Sequence, residues 1–194
     1  MKTVKSLIYV LSFGSLMFLS SCGYNGGIER DERVSGAWGQ VQNVYQRRAD
    51  LIPNLVNTVK GFATQEKEVL IGVIEARAKA TSVNIDASKL TPENVKQFQD
   101  AQSGLSGALS RLMMVTENYP ELKSNQNFLE LQSQLEGTEN RIAVERRNFN
   151  ETVQDYNTWG RKFPNSMFSG MWDFKKKGYF EADAGSQKAP TVKF

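Results

Sequence analysis

Apolar residues recur along this chain with the spacing of α-helices. Between residues 28 and 81 they recur at steps of three, four or seven positions, which places them on one face of a helix. These positions are Leu51, Leu55, Val59, Phe62, Val69, Val73 and Ala76. Pro53 interrupts the stretch. Because proline has no backbone N–H and disfavours a helical residue before it, we predict a kink or a break there.

Two further helices are predicted after a loop at residues 82–90. Thr91 and Pro92 form a strong helix start, with threonine as the N-cap and proline at the first helical position. We expect that helix to end before Pro120. The last helix, at residues 125–158, has the clearest pattern, a heptad seam with alternating steps of three and four residues. The seam consists of Phe128, Leu131, Leu135, Thr138, Ile142, Glu145, Phe149, Thr152 and Tyr156.

The pattern as a whole predicts an all-α fold, an antiparallel four-helix bundle of long helices in which Pro53 divides the first stretch. A coiled-coil assembly of several copies is the alternative, because heptad seams occur in both, so a homo-oligomer stays open. Glu145 lies within the seam and has two interpretations. The favoured one is that the seam turns away from the core and leaves Glu145 solvated; the other is a buried pair with Arg47 or Arg48.

The N-terminal residues are typical of an export signal. Lys2 and Lys5 precede an apolar run at residues 7–19, which is shorter than the roughly 17–25 residues that span a bilayer. The run leads to Ser20, Ser21 and Cys22 and resembles a bacterial lipobox, in which the cysteine receives a diacylglyceryl group and the chain is cut before it. Lipidation also accounts for a single cysteine, which has no internal disulfide partner. A secreted protein with one stray cysteine and an uncleaved signal anchor are the alternatives.

We therefore predict four segments. They are a signal peptide at residues 1–21, a flexible leash at 22–27 that begins with lipidated Cys22, a helical bundle at 28–160 and an aromatic C-terminal tail at 161–194. The lipid would hold the protein to the inner or outer membrane of a bacterial envelope, on its non-cytoplasmic side. We expect the tail to pack on the bundle. A position in the membrane interface and docking of a partner protein are the alternatives.

Composition excludes several kinds of active site. The chain has no histidine, and its one cysteine would be lipidated, which excludes Cys/His zinc sites, Ser-His-Asp and Cys-His systems, and haem ligation by His or Cys. Removal of Lys2 and Lys5 with the leader would lower the net charge from +3 to +1, so we expect no nucleic-acid partner. We predict no catalytic residue, no metal and no cofactor.

Several short motifs follow one another along the chain. The segment at residues 47–61 reads RRADLIPNLVNTVKG, and Glu139-Asn140-Arg141-Ile142, Arg146, Phe149-Asn150, Asp155-Tyr156-Asn157, Phe163-Pro164, Tyr179-Phe180-Glu181 and Ala189-Pro190 follow in order. These motifs resemble those of the LemA family, and the resemblance covers residues 28–194. It implies an α-helical bundle with no established enzymatic activity and a poorly defined role. Many family members begin with a transmembrane helix, whereas this sequence predicts a lipid anchor.

The motif residues are interpreted mainly as structural. They are Arg47, Arg48, Asp50, Pro53, Asn54, Lys60, Glu139, Asn140, Arg141, Arg146, Asn150, Tyr156 and Asn157. Asp50 is predicted to cap a helix that begins near Pro53, and Asn54 and Asn57 to bond backbone groups freed by the proline. Arg141 and Arg146 are predicted to pair across helices with Glu66, Glu68 or Glu139.

Function is predicted from these features taken together. They favour a non-enzymatic, membrane-tethered module that binds an envelope protein or acts as a scaffold. A lipoprotein that holds a small molecule or a lipid between its helices is the alternative. Large side chains along the last seam, among them Phe128, Ile142 and Phe149, argue for a filled core.

Overall fold

The computed structural model describes the backbone of residues 2–182 and the side chains of residues 23–182. Within these residues the fold is all-α, as predicted, and contains no strand. The helices are α1 (Lys2–Phe62), α2 (Lys67–Ser82), α3 (Pro92–Thr116), α4 (Pro120–Lys123), α5 (Gln126–Arg161) and α6 (Asn165–Phe168), with a 3₁₀ turn at Ala87–Lys89. The side chain of Cys22, the signal-peptide side chains and tail residues 183–194 lie outside this description. No described helix is long and apolar enough to cross a membrane.

The two longest helices, α1 and α5, pack against each other and run in opposite directions. Arg30 of α1 lies 3.1 Å from Asp155 of α5, and Arg48 lies 2.8 Å from Glu139, so the pairing order is reversed. Helices α2 and α3 also pack on each other, and α2 contacts α1. Thr91 caps α3 as predicted, with its hydroxyl accepting from the backbone N–H of Asn94 at 3.3 Å.

Helix α1 includes residues 22–27, where the sequence predicts a flexible leash. Gly27 is buried there, because an aromatic side chain of α5 and another of the tail lie against the backbone of α1 at this residue. A Cβ atom at Gly27 would lie 2.4 Å from the ring of Trp159 and 2.6 Å from that of Phe174. A side chain cannot fit at that distance. The glycine therefore allows close helix packing here, where the sequence pattern indicated chain flexibility.

Helix α1 also continues through Pro53, so the predicted break at this residue does not occur. The first apolar stretch divides after Phe62 instead. A proline lacks the N–H group that would bond the carbonyl four residues earlier, which here belongs to Ala49. The Nε atom of Arg77 on α2 donates to that carbonyl oxygen at 2.7 Å. The neighbouring helix thus supplies the missing donor, and α1 remains helical.

Replacing Arg77 with methionine is expected to lower the free energy of unfolding by about 1–3 kcal/mol, because the Ala49 carbonyl would lose its donor in a partly buried position. Methionine keeps much of the apolar stem, so packing should change little. Urea denaturation of the two proteins measures the loss. In a Pro53→Ala background residue 53 regains its N–H, and the same replacement should cost much less. Equal losses in both backgrounds would show that the Arg77 bond does not substitute for the proline N–H.

Two apolar clusters fill the interior at opposite ends of the long helices. The Leu105 cluster comprises Ile52, Leu55, Val56, Val59, Ala63, Leu70, Val73, Ala80, Leu105, Leu109, Leu112, Leu122, Phe128 and Leu135. In the Trp38 cluster, the Trp38 ring contacts Phe98, Phe149 and Phe180 at centroid distances of 5.0, 5.4 and 6.0 Å. The fully buried indole N–H donates to the Ile85 carbonyl at 2.9 Å. Each cluster is a continuous apolar core at its own end of the bundle, and polar side chains separate the Leu105 cluster from the Trp38 cluster.

Candidate functional site

A buried polar layer crosses the interior between the Leu105 and Trp38 clusters. Its centre is Arg48 on α1, which is 1% exposed. Nη1 donates to Glu139 Oε1 at 2.8 Å and to Ser106 Oγ at 2.9 Å, and Nη2 donates to Gln102 Oε1 at 2.6 Å. Arg48, Gln102, Ser106 and Glu139 are called the arginine layer below. They connect α1 with both α3 and α5.

The charge of Arg48 is compensated in several ways. Its guanidinium lies 5.0 Å from the centroid of the Tyr45 ring, within range of a cation–π contact. Glu139, its ionic partner, keeps 46% of its side chain exposed, so only the arginine end of the pair is fully desolvated. The Nε atom of Arg48 is buried without a hydrogen-bond partner among the described residues. The layer therefore depends on Glu139 as the counter-charge.

The buried pair considered for Glu145 is wrong, although a buried arginine layer exists. Glu145 is half-buried, and its carboxylate accepts from the amide of Asn148 at 3.1 Å. Glu139 lies six residues earlier on α5 and supplies the charge instead. The sequence prediction placed a heptad seam position opposite the arginine, whereas the structure uses a residue beside the seam whose long side chain reaches inward.

Other motif residues hold an extended stretch of the tail, residues 177–181, called the clamped segment. Asn157 of α5 donates to the Lys177 carbonyl and accepts from the Lys177 N–H, both at 3.0 Å. Asn150 forms the same pair with Phe180, both at 2.9 Å. Gln99 of α3 pairs with the backbone of Glu181 at 2.9 and 3.0 Å. Three side-chain amides thus satisfy backbone groups that an adjacent strand would satisfy in a sheet.

Side chains of the clamped segment are also held. Phe180 is 5% exposed in the Trp38 cluster, and the Arg146 guanidinium lies 5.2 Å from its ring centroid. Lys177 is 7% exposed and its Nζ lies 2.6 Å from an Asp31 carboxylate oxygen. The same ammonium lies 5.1 Å from the centroid of the Tyr156 ring. Burial, and then the negative charge of Asp31, raises the pKa of the Tyr156 phenol, so this hydroxyl stays neutral.

The remaining motif residues lie on the surface. Arg47, Asp50, Pro53, Asn54 and Lys60 are exposed on α1, and Asn140 and Arg141 are exposed on α5. Asp50 lies inside the helix and accepts from Gln46 at 2.7 Å, so its predicted capping role is wrong. The carbonyl freed by Pro53 is bonded by Arg77, where the sequence pointed to Asn54 and Asn57.

Two of the three partners predicted for Arg141 and Arg146 bind other residues. Glu139 is the counter-charge of Arg48, and Glu66 accepts from the Tyr119 hydroxyl at 3.0 Å. Arg146 instead donates to the Glu181 carbonyl at 2.7 Å and so belongs to the tail contacts.

The sequence pattern does not indicate the role of several residues in the arginine layer and the clamped segment. Gln102 and Ser106 lie one helical turn apart on α3, beside its apolar face, and only their buried position makes them important. Lys177 stands in a run of three lysines that is typical of solvated charge. Gln99 contacts backbone 82 residues away. Contacts of this kind depend on the tertiary fold and leave no periodic spacing.

An open groove of about 290 Å³ leads from the surface to the arginine layer. Gln99, Ser103 and Arg146 line its rim, and Arg48 lies at its base. Among the described residues, no three His, Cys, Asp or Glu side chains are placed to hold a metal ion. The groove therefore offers polar contacts to a small ligand and no metal centre.

The similarity of this chain to known proteins covers both the arginine layer and the clamped segment. A model of the LemA family matches residues 37–194, which include the arginine layer and the clamped segment. The protein LemA of Metamycoplasma hominis is 26% identical over 177 residues, covering 91% of this chain and 77% of that protein. The magnetosome protein MamQ of Magnetospirillum gryphiswaldense is 26% identical over 200 residues, covering 92% of this chain and 72% of that protein. Magnetosome protein MamQ 2 of Paramagnetospirillum magneticum is 25% identical over 199 residues, covering 92% of this chain and 71% of that protein.

Proposed function

Since this chain belongs to the LemA family, we propose that it is a membrane-tethered, non-enzymatic scaffold of the bacterial envelope that binds another protein through an exposed face of α1. The observation that carries the proposal is the exposure of five motif residues, Arg47, Asp50, Pro53, Asn54 and Lys60. The fold buries Arg48 between them but leaves these side chains at the surface. We call Arg47, Asp50 and Asn54 the α1 face.

The chemistry of the α1 face fits a protein partner. Its residues are spaced by three and four positions, so they point to the same side of the helix. An arginine, a carboxylate and an amide together offer donors and acceptors of both charges, which suits the polar rim of a protein interface more than a lipid surface. The rise of a helix places this face roughly 35–45 Å along the axis from Gly23, well away from the N-terminal end.

Tethering is the second element of the proposal. The lipobox-like residues before Cys22 support a lipid anchor, which would hold α1 at a membrane on the non-cytoplasmic side, inner or outer. A rigid helix that rises from an anchor presents its far half to partners at a fixed height. This combination of anchor and exposed face is the reason for proposing a scaffold.

Binding of a lipid or small molecule is the second candidate function. A groove of about 710 Å³ lies between α3 and α5, with Leu109, Met113 and Leu135 among its lining residues. An apolar groove of that size is within the range of small-molecule sites. Its shallow form and the filled Leu105 cluster beneath it make this candidate the weaker one.

Crosslinking in native membranes, followed by purification and mass spectrometry, tests the proposal. The double variant Arg47→Glu/Asn54→Arg changes only exposed side chains, and Arg111→Glu on exposed α3 surface is the matched control. A protein captured with the wild type and the control, and lost with the double variant, is the expected result. Equal capture by all three would exclude the α1 face. Recovery of a stoichiometric lipid or metabolite without a protein would favour the second candidate.

A further inference from the structure

We propose that the turn after α5 forms a second membrane contact, in which Phe163, Met167 and Met171 enter the headgroup region of the bilayer beside the N-terminal anchor. These three residues are called the platform. The inference rests on the tether of the proposed function and adds a surface that holds the bundle against the lipid. Its partner is a lipid surface.

The platform is exposed to an unusual degree for large apolar side chains. Phe163 is 80% exposed, Met167 69% and Met171 74%, all within nine positions of the chain. Single exposed apolar residues are common on protein surfaces, but a group of this kind marks a contact site. Met167 lies in the short helix α6 and Met171 in the turn after it, and the exposure of both shows that neither packs into the bundle.

The opposite side of the same segment is fixed to the bundle. The Phe168 and Trp172 rings stack at 5.3 Å between centroids, and the Trp172 ring meets that of Tyr24 on α1 at 5.8 Å. Phe174 contacts Trp159 of α5 at 5.2 Å. The aromatic residues therefore hold the segment on α1 and α5, and the platform projects from a structured support.

The position of this support indicates which surface the platform meets. Tyr24 and Gly23 follow Cys22 directly, and a Cβ at Gly23 would lie 3.2 Å from the Trp172 ring. Because α5 runs antiparallel to α1, its C-terminal end returns to the anchored end of the bundle. The platform is therefore at the height where the chain leaves the bilayer.

Charge around the platform is mainly positive. Arg161, Lys162, Lys175 and Lys176 are exposed, and the acidic residue among them, Asp173, lies 3.1 Å from Lys175. Apolar side chains surrounded by basic ones are the composition of interfacial segments that bind anionic lipids. A protein-binding surface at this height would have to compete with lipid that the anchor brings within a few ångströms.

Hydroxyl-radical footprinting of the full lipidated chain, reconstituted into phosphatidylethanolamine–phosphatidylglycerol vesicles, tests the inference. Met114 is an internal control, because it is 65% exposed on α3 and far from the anchored end. If the platform is in the bilayer, Met167 and Met171 should oxidise about five- to tenfold more slowly than Met114, since water-borne radicals reach them less. Comparable rates on vesicle-bound protein would overturn the inference.

A variant and a flotation step separate the possible failures. Phe163→Ser/Met171→Ser changes only exposed positions and leaves Met167 as the reporter, whose oxidation rate should rise to that of Met114. Slow oxidation of Met167 in this variant would show that the bundle itself shields it, and would overturn the inference. Protein that fails to float with the vesicles would refute the tether, and with it both proposals, whereas floating protein with an unprotected Met167 refutes the platform alone.

Discussion

Replacing Phe180 with alanine is expected to lower the free energy of unfolding by about 3–5 kcal/mol, as for other fully buried phenylalanines. Phe180 is 5% exposed and its ring contacts those of Trp38, Phe98 and Phe149. Truncation leaves a cavity under three rings that belong to α1, α3 and α5, so the helices cannot close it by small shifts. Urea denaturation followed by circular dichroism measures the change.

Phe163→Ala is the matched control, because it removes the same atoms from a side chain that is 80% exposed in the same tail. Its effect should stay within about 0.5 kcal/mol. Hydrogen exchange adds a second readout: the amide of Lys177, bonded to Asn157 at 3.0 Å, should lose protection in Phe180→Ala as the clamped segment loosens. A loss below about 1 kcal/mol would mean that the tail is only loosely attached to the core.

Glu139→Gln is expected to cost about 2 kcal/mol, in the lower part of the range for hydrogen bonds to charged groups. The substitution keeps the shape of the side chain but removes the counter-charge of Arg48, whose guanidinium is 1% exposed. The loss should be smaller than for a fully buried ion pair, since the Glu139 side chain is 46% exposed and the site is partly hydrated.

A double-mutant cycle identifies the origin of this loss. In an Arg48→Met background no buried charge remains in the arginine layer, so Glu139→Gln should have almost no effect there. Glu136→Gln, an exposed position on the same helix, should change stability by less than about 0.5 kcal/mol in either background. Equal costs of Glu139→Gln with and without Arg48 would show that the arginine layer is not an energetic unit.

Local sequence signals predicted the elements well. Helix periodicity, the Thr91 cap and the heptad pattern of α5 depend on residues within a few turns of one another, and the structure contains the corresponding helices. Pro53 shows the limit of local reasoning. The residue that keeps α1 helical there, Arg77, is on another helix and carries no mark of this role in the sequence.

The candidate sites were predictable only in part. The family motifs identified Arg48, Glu139, Asn150 and Asn157, but their division into a buried layer and a tail clamp required the fold. Backbone atoms are the same at every residue, so side chains that recognise backbone leave no pattern at the recognised positions. For this reason the run at residues 175–177 indicated solvated charge, although Lys177 is buried.

The clamped segment has a consequence for how the chain folds as it is synthesised. Trp38 is among the first core residues to be synthesised, whereas Phe180, which covers it, follows much later. Until then the rings of Trp38, Phe98 and Phe149 lack the contact that Phe180 makes with them. Once residues 177–181 have been synthesised, Phe180 can cover these rings. A chain that ends before this segment therefore leaves the aromatic rings of the Trp38 cluster exposed, which distinguishes it from the full-length protein.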